Sequence, residues 1–150
     1  MDHPTPVPFV GNLIPFEQAS ANIQKLIRLS SEARTHAYTP YSKFPVGAAL
    51  LCKDGEIFQG CNVENSSYGL SICAEQTAVV KAISSGNANI AAIAVVAESN
   101  SFITTPCGKC RQFLNEFGPH IDVYCAKTDL KEVLITNISC LLPYGFQMIR

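Results

Sequence analysis

Three cysteines and one glutamate in this chain are spaced as a chemical site would be. Cys107 and Cys110, in PCGKC, lie one helical turn apart, so on a helix their sulfurs point the same way and can grip one metal ion. Cys73 and Glu75, in SICAEQTAVV, pair a soft metal ligand with a carboxylate two residues on, at what reads as another helix start. Helix N-termini carry partial positive charge and free N–H groups, which favour thiolate over thiol. Three thiolates on tetrahedral zinc leave a fourth position for water, as catalytic sites do and closed structural sites do not. Glu75 could then lie beside the ion without ligating it, and accept and return the water's protons. Each piece alone also has a plainer reading. A C-x2-C pair suits a redox centre, a structural zinc or chance, and a glutamate in a first helical turn is often favoured by the helix dipole alone.

The elements that must bring these residues together are legible as a succession of periodic segments. Ile23, Leu26, Ile27 and Ala33 recur near helical spacing with polar residues between them, predicting an amphipathic helix within 16–38. VGAALLC, the Asp54-Gly55 turn pair and IFQGCNVEN predict a β-hairpin. CAEQTAVVKAISSG reads as a helix stopping at Gly86, and CGKCRQFLNEF as a helix running from Pro106 to Gly118-Pro119. IAAIAVVA, apolar without alternation, reads as a central strand covered on both faces, and IDVYCA and EVLITNI as two more strands. The order α-β-β-α-β-α-β-β predicts a three-layer αβα sandwich around one mixed five-stranded sheet. It is a single domain over 16–150, preceded by a proline-rich loose arm over 1–15. Both cysteine clusters fall where a strand or its loop hands over to a helix, the edge at which open α/β sheets bind ligands.

Composition narrows the classes of function. Lys plus Arg number 11 and Asp plus Glu 12, so a net charge of −1 offers no electrostatic footprint for nucleic acid. Nowhere does an apolar run approach the ~20 residues that span a bilayer, which argues against a membrane partner. The start lacks a basic segment followed by an apolar one, so the expected compartment is the cytoplasm. There, seven cysteines are better read as ligands, catalytic groups or small buried side chains than as disulfides. Cys52, Cys61, Cys125 and Cys140, in apolar strand-like contexts, are expected to be buried. Charged residues make up 15% of the chain against about 25% in typical soluble domains, a shortage that suggests a buried subunit interface.

NVENSSYGLSICAEQTA and PCGKCRQ, with YSKFPVGAAL upstream and LLPYGF near the end, resemble the small homotetrameric cytidine deaminases over 30–146, in order and at matching distances. The zinc-deaminase signature has a cysteine variant of its first ligand, and Cys-Ala-Glu stands for that variant here. The resemblance implies one zinc ion per chain on Cys73, Cys107 and Cys110. It implies attack at C4 of cytidine or deoxycytidine by zinc-activated water, with Glu75 as both acid and base, giving uridine or deoxyuridine and ammonia in pyrimidine salvage. Substrate contacts implied in the same way are Phe44 beside the base and Asn62 and Glu64 on a ribose hydroxyl. Val63, Asn65, Ser66, Ser67 and Tyr68 would line the nucleoside, with Ala74 beside the acid and Phe146 supplied by a neighbouring subunit. Gln76 stands where the family usually has arginine. Three thiolates leave a zinc site net negative, and a nearby cation normally relieves them, a task that would pass to Arg111 and the helix dipoles. Gly69 and Ser71 also depart from the common proline and glycine. Other readings are a deaminase of another aminopyrimidine nucleoside, an enzyme editing RNA or DNA, and a non-catalytic zinc module in which Cys61 or Cys125 completes a four-thiolate site.

Overall fold

Alternation along the strands decides the architecture. In a computed structural model, which describes residues 11–148, the predicted hairpin is β2 (Val46–Cys52) and β3 (Ile57–Cys61). Before it come β1 (Asn12–Pro15) and α1 (Ala21–Arg34), and after it α2 (Ala74–Ser84), β4 (Ile90–Ala97) and α3 (Gly108–Asn115). β5 (Asp122–Ala126), β6 (Glu132–Asn137) and the single turn α4 (Ile138–Leu141) complete the order. The strands form one mixed sheet, β1-β6-β5-β4-β2-β3, in which β4 and β5 pair in parallel and the other neighbours antiparallel.

Side chains of Ala48, Leu50, Ile93, Val95, Val123 and Cys125 point to one face, where α2, Leu114 of α3 and Ile138 of α4 cover them. Their neighbours Ala49, Ala92, Ala94, Val96 and Ala126 point to the other, under Leu26 and Ile27 of α1. Residues that alternate in this way on central strands must be apolar on both faces, which is why β4 carries no polar residue. The three layers follow directly.

The sheet has six strands, not the five expected. The extra one is β1, whose Asn12, Leu13, Ile14 and Pro15 pair with Ile135, Leu134, Val133 and Glu132. The expectation of a loose arm over 1–15 therefore fails at Asn12–Pro15; residues 1–10 lie outside the described ones. A proline is tolerated at the end of an edge strand, where no further ladder bond is required of its nitrogen. Two boundaries also shift. The segment 16–38 resolves into a 3₁₀ turn (Phe16–Gln18) followed by α1, started by Ser20, whose Oγ accepts from Ile23 N–H. β6 stops at Asn137 because that side chain accepts the Cys140 N–H at 2.9 Å and opens α4. Cys52 and Cys125 are buried as expected, whereas Cys61 and Cys140 are half-buried, Cys140 in a helical turn.

Helices approach this sheet closely because small residues face them. A Cβ on Gly47 would lie 1.9 Å from the Ser30 carbonyl oxygen, and one on Gly60 only 2.5 Å from Ala78 N and 2.6 Å from Ala74 O. The Ser30 hydroxyl, buried, also donates to Ala94 O at 2.9 Å, tying α1 to β4. At Gly60 the obstacle is the backbone of α2 itself, so Gly60→Ala must push that helix away from β3. Overpacking of this kind costs about 1–3 kcal/mol. For a domain of this length that is a fall in Tm of roughly 2–12 °C, measurable by calorimetry. An unchanged Tm would show that α2 can shift freely.

Candidate active site

The loops after β3 and β4 end at the same edge of the sheet, and each ends on a cysteine that caps a helix: Cys73 before α2 and Cys107 before α3. Their sulfurs are 3.9 Å apart, and with Cys110, one turn into α3, all three lie within 4.8 Å of one another. Two thiolates held about 2.3 Å from one tetrahedral zinc ion stand about 3.8 Å apart, so the donor type and the spacing both fit that ion. Cys110 is fully buried, Cys73 half-buried and Cys107 exposed, which leaves the cluster open on one side.

Charge in the cluster is organised by hydrogen bonds among the thiols. The Cys73 thiol is lowered to about 6, first by the bond from Cys110 and further by that from Cys107 and by Lys109, against the cost of burial. Cys110 is pushed up in return, because its proton is shared with Cys73 and its surroundings are dry. Negative charge therefore settles first on Cys73, at the positive end of α2. Glu75 lies on the first turn of α2, only 5% exposed. Burial pushes its carboxyl up to about 7, and the Cys73 charge adds to this, while its own backbone N–H and the Cys110 thiol act in the opposite sense. A carboxyl poised near neutrality beside a cluster of thiols can both take and give a proton.

Gln76 is buried at the third position of α2, where its Oε1 accepts from the Cys73 N–H at 3.4 Å and closes a capping box around that cysteine. A neutral cap thus occupies the position at which the resemblance led to an expected arginine. Arg111 donates instead to Pro106 O at 2.7 Å, to Thr105 Oγ1 at 2.9 Å and to Leu141 O at 3.0 Å. Its guanidinium braces the loop that leads into Cys107 and ties it to α4.

Cys73 also forms part of the wall of an open cavity of about 520 Å³. Phe44, Asn62, Glu64 and Tyr68 line it, as do Tyr41, Ser42, Ser71 and Ile72. Concave, largely apolar walls with a few convergent polar groups are what a small-molecule site requires. Glu64 Oε2 accepts from the N–H groups of Tyr41 and Ser42, at 2.9 and 3.2 Å, and these bonds, with the Ser42 hydroxyl foremost, hold its carboxyl below the usual range. Asn62 accepts from Val46 N–H at 2.8 Å and donates to Phe44 O at 2.9 Å. Both residues therefore fix the 41–46 segment that carries Phe44.

The match to a family model described as the cytidine and deoxycytidylate deaminase zinc-binding region spans residues 20–127, which include all three clustered cysteines and Glu75. The chain belongs to this family. It is 48% identical over 128 residues to a cytidine deaminase of Sporosarcina psychrophila, covering 83% of this chain and 91% of that protein. A probable cytidine deaminase of Dictyostelium discoideum is 49% identical over 121 residues, 81% of each chain. Among solved structures, the cytidine deaminase of Burkholderia pseudomallei superposes with a TM-score of 0.79 at 44% identity, over 85% of this chain and 100% of that one.

Membership in a zinc-binding deaminase family and a three-thiol cluster of fitting geometry together make zinc the cofactor, with room for one ion in the chain. Among the described residues neither Cys61 nor Cys125 joins the cluster, so no fourth thiolate closes it. Other residues that the deaminase pattern singled out are dispersed. Val63 is held in short bridges to Tyr38 and Ile72. Asn65 receives the Ser67 N–H and donates its own to Ser71 Oγ, which makes a turn of residues 65–67; Ser66 and Ser67 are exposed. Ala74, next to Glu75 in the chain, is fully buried. Phe146 is not part of the chain's own cavity wall, and the residue is 71% exposed. Tyr41, Ser42, Ser71 and Ile72 went unrecognised as cavity residues; Tyr41 stands in the YSKF segment already noted, its ring centroid 5.9 Å from that of Tyr68.

Proposed function

We propose that this protein deaminates cytidine and deoxycytidine hydrolytically, giving uridine and deoxyuridine plus ammonia. The observation that carries the proposal is the joint placement of three clustered thiols, a buried carboxyl near neutrality and a cavity of nucleoside size at one sheet edge. The relatives are named for cytidine, which supports that substrate over another aminopyrimidine. Cys73, Cys107 and Cys110 would hold the zinc ion, which would supply the Lewis acidity that makes water ionisable near neutral pH. Glu75 takes one proton from the attacking water and delivers it to ring N3 as the water oxygen bonds to C4. It then takes the remaining proton of that new hydroxyl and passes it to the amine as the C4–N bond breaks, which leaves uridine and ammonia. Phe44 packs beside the base, while Glu64 and Asn62 keep the 41–46 segment in place and offer their remaining valences to the ribose. Incubation of the pure protein with cytidine should give loss of cytosine absorbance and one ammonia per uridine formed. A zinc-loaded protein that leaves cytidine unchanged would overturn the proposal.

The active unit is a homotetramer in which Phe146 closes a neighbour's pocket, working in the cytoplasm, where its seven free thiols stay reduced. The low charge content and the exposed Phe146 ring support this arrangement. Stacking on an aromatic ring is worth about 1–3 kcal/mol per base, so Phe146→Ala should raise KM roughly five- to a hundredfold. A fully active monomer in light scattering would refute the shared pocket, and an unchanged KM would remove Phe146 from it.

A further inference from the structure

The stretch after α4 has no strand or helix to hold it, yet α3 fastens it at three points. Arg111 holds the last residue of α4 through Leu141 O, and beyond it both Gln112 Nε2 and Asn115 Nδ2 donate to the Phe146 carbonyl, at 3.1 and 3.0 Å. Gln147 answers with a bond from its Nε2 to Asn115 O. Asn115 is almost wholly buried, and Gly145 runs so close that a Cβ there would lie 3.1 Å from the Asn115 side-chain amide. The Phe146 backbone is thus fixed by two donors on one carbonyl, while its ring stands in solvent. A buried amide committed to a main-chain oxygen, with the side chain of that residue left outside, does little for the core. It sets where the ring stands.

We infer that Gln112 and Asn115 are positioning residues that hold the C-terminal segment so that Phe146 meets the nucleoside in a fixed place. The inference rests on the proposed role of Phe146 in a neighbouring pocket. α3 then has Cys107 as its cap and Cys110 in its first turn at one end, and the tail clamp along its next turns, so one helix positions two of the three thiols and the backbone of Phe146. With the clamp removed, the tail must be ordered anew each time substrate binds, and that cost falls on binding rather than on proton transfer.

The test is a double-mutant cycle between Gln112→Met/Asn115→Leu, which remove the donors at similar side-chain length, and Phe146→Ala. With zinc content and tetramer verified, the clamp variant should raise KM for cytidine toward the Phe146→Ala value, roughly five- to a hundredfold, with kcat changed by less than about threefold. Adding Phe146→Ala to it should then have little further effect, because a ring that is no longer held has already lost its contribution. An unchanged KM, or two increases that simply multiply, would overturn the clamp. A Phe146→Ala enzyme with wild-type KM would instead remove the shared-pocket reading on which the clamp depends, and a wild-type enzyme inert to cytidine would fail before either. If the double variant does not assemble, Gln112→Met alone, at a more exposed position, carries the same expectation of raised KM and non-additivity.

Discussion

Glu75→Ala should lower kcat by several orders of magnitude while leaving zinc and fold in place. A single positioned acid or base contributes roughly 10²–10⁴-fold, and Glu75 serves more than one proton transfer in the proposed reaction, so its loss should exceed that range. Zinc should stay because the carboxylate stands beside the three thiols and is not one of them. The fold should stay because removing a buried carboxyl that burial holds near neutrality forfeits little favourable interaction. Steady-state turnover of cytidine, with zinc measured on the same sample, checks both halves of the expectation. Activity within tenfold of wild type would sink the assignment of Glu75 as proton carrier.

The second large effect is expected at the thiols. Cys73→Ser, Cys107→Ser and Cys110→Ser should each lose zinc on dialysis and turnover with it, since each removes one of three soft donors from a single ion. The weakening should exceed the 10–100-fold typical when only an outer partner of a ligand is removed. Cys52→Ser and Cys125→Ser are the controls. Both sites are fully buried, so each substitution should cost stability by placing a hydroxyl in an apolar setting, yet leave the zinc content unchanged. Retention of full zinc by Cys73→Ser would falsify the ligand set.

The parts of the fold that sequence made legible are those with a long period or a strong stop. β4 is eight apolar residues in a row, and α2 and α3 begin at cysteines whose spacing already implied a shared face. β1 was missed because four residues ending in proline show no period, and their pairing with β6 is made more than a hundred positions away. α4 was missed because Ile138 continues an apolar strand pattern; only the Asn137 side chain, capping the turn, breaks it. In the site, the gathering of the three thiols with Glu75 beside them was readable from type and spacing. The bracing work of Asn62, Glu64 and Arg111 was not, since a side chain that bonds to distant backbone leaves no periodic trace in its own neighbourhood. The same is true of Asn115, an ordinary polar residue in a helix until its amide is seen on Phe146 O.

The sheet's two faces have different evolutionary stakes. The face under α1 packs Leu26 and Ile27 against Ala49, Ala94 and Val96, and none of the cysteines of the metal cluster projects there. Changes among those buried apolar side chains act first on how much folded protein a cell holds, whereas Arg34 of α1, which donates to Pro45 O at 3.0 Å, is that helix's link to the cavity segment. The opposite face packs α2 and α3 directly, and Gly60 leaves α2 no slack. A substitution there moves a thiol or Glu75 along with the core, so yield and specific activity change together. The apolar core beneath α1 leaves selection more room to trade stability than the core beneath α2 and α3 does.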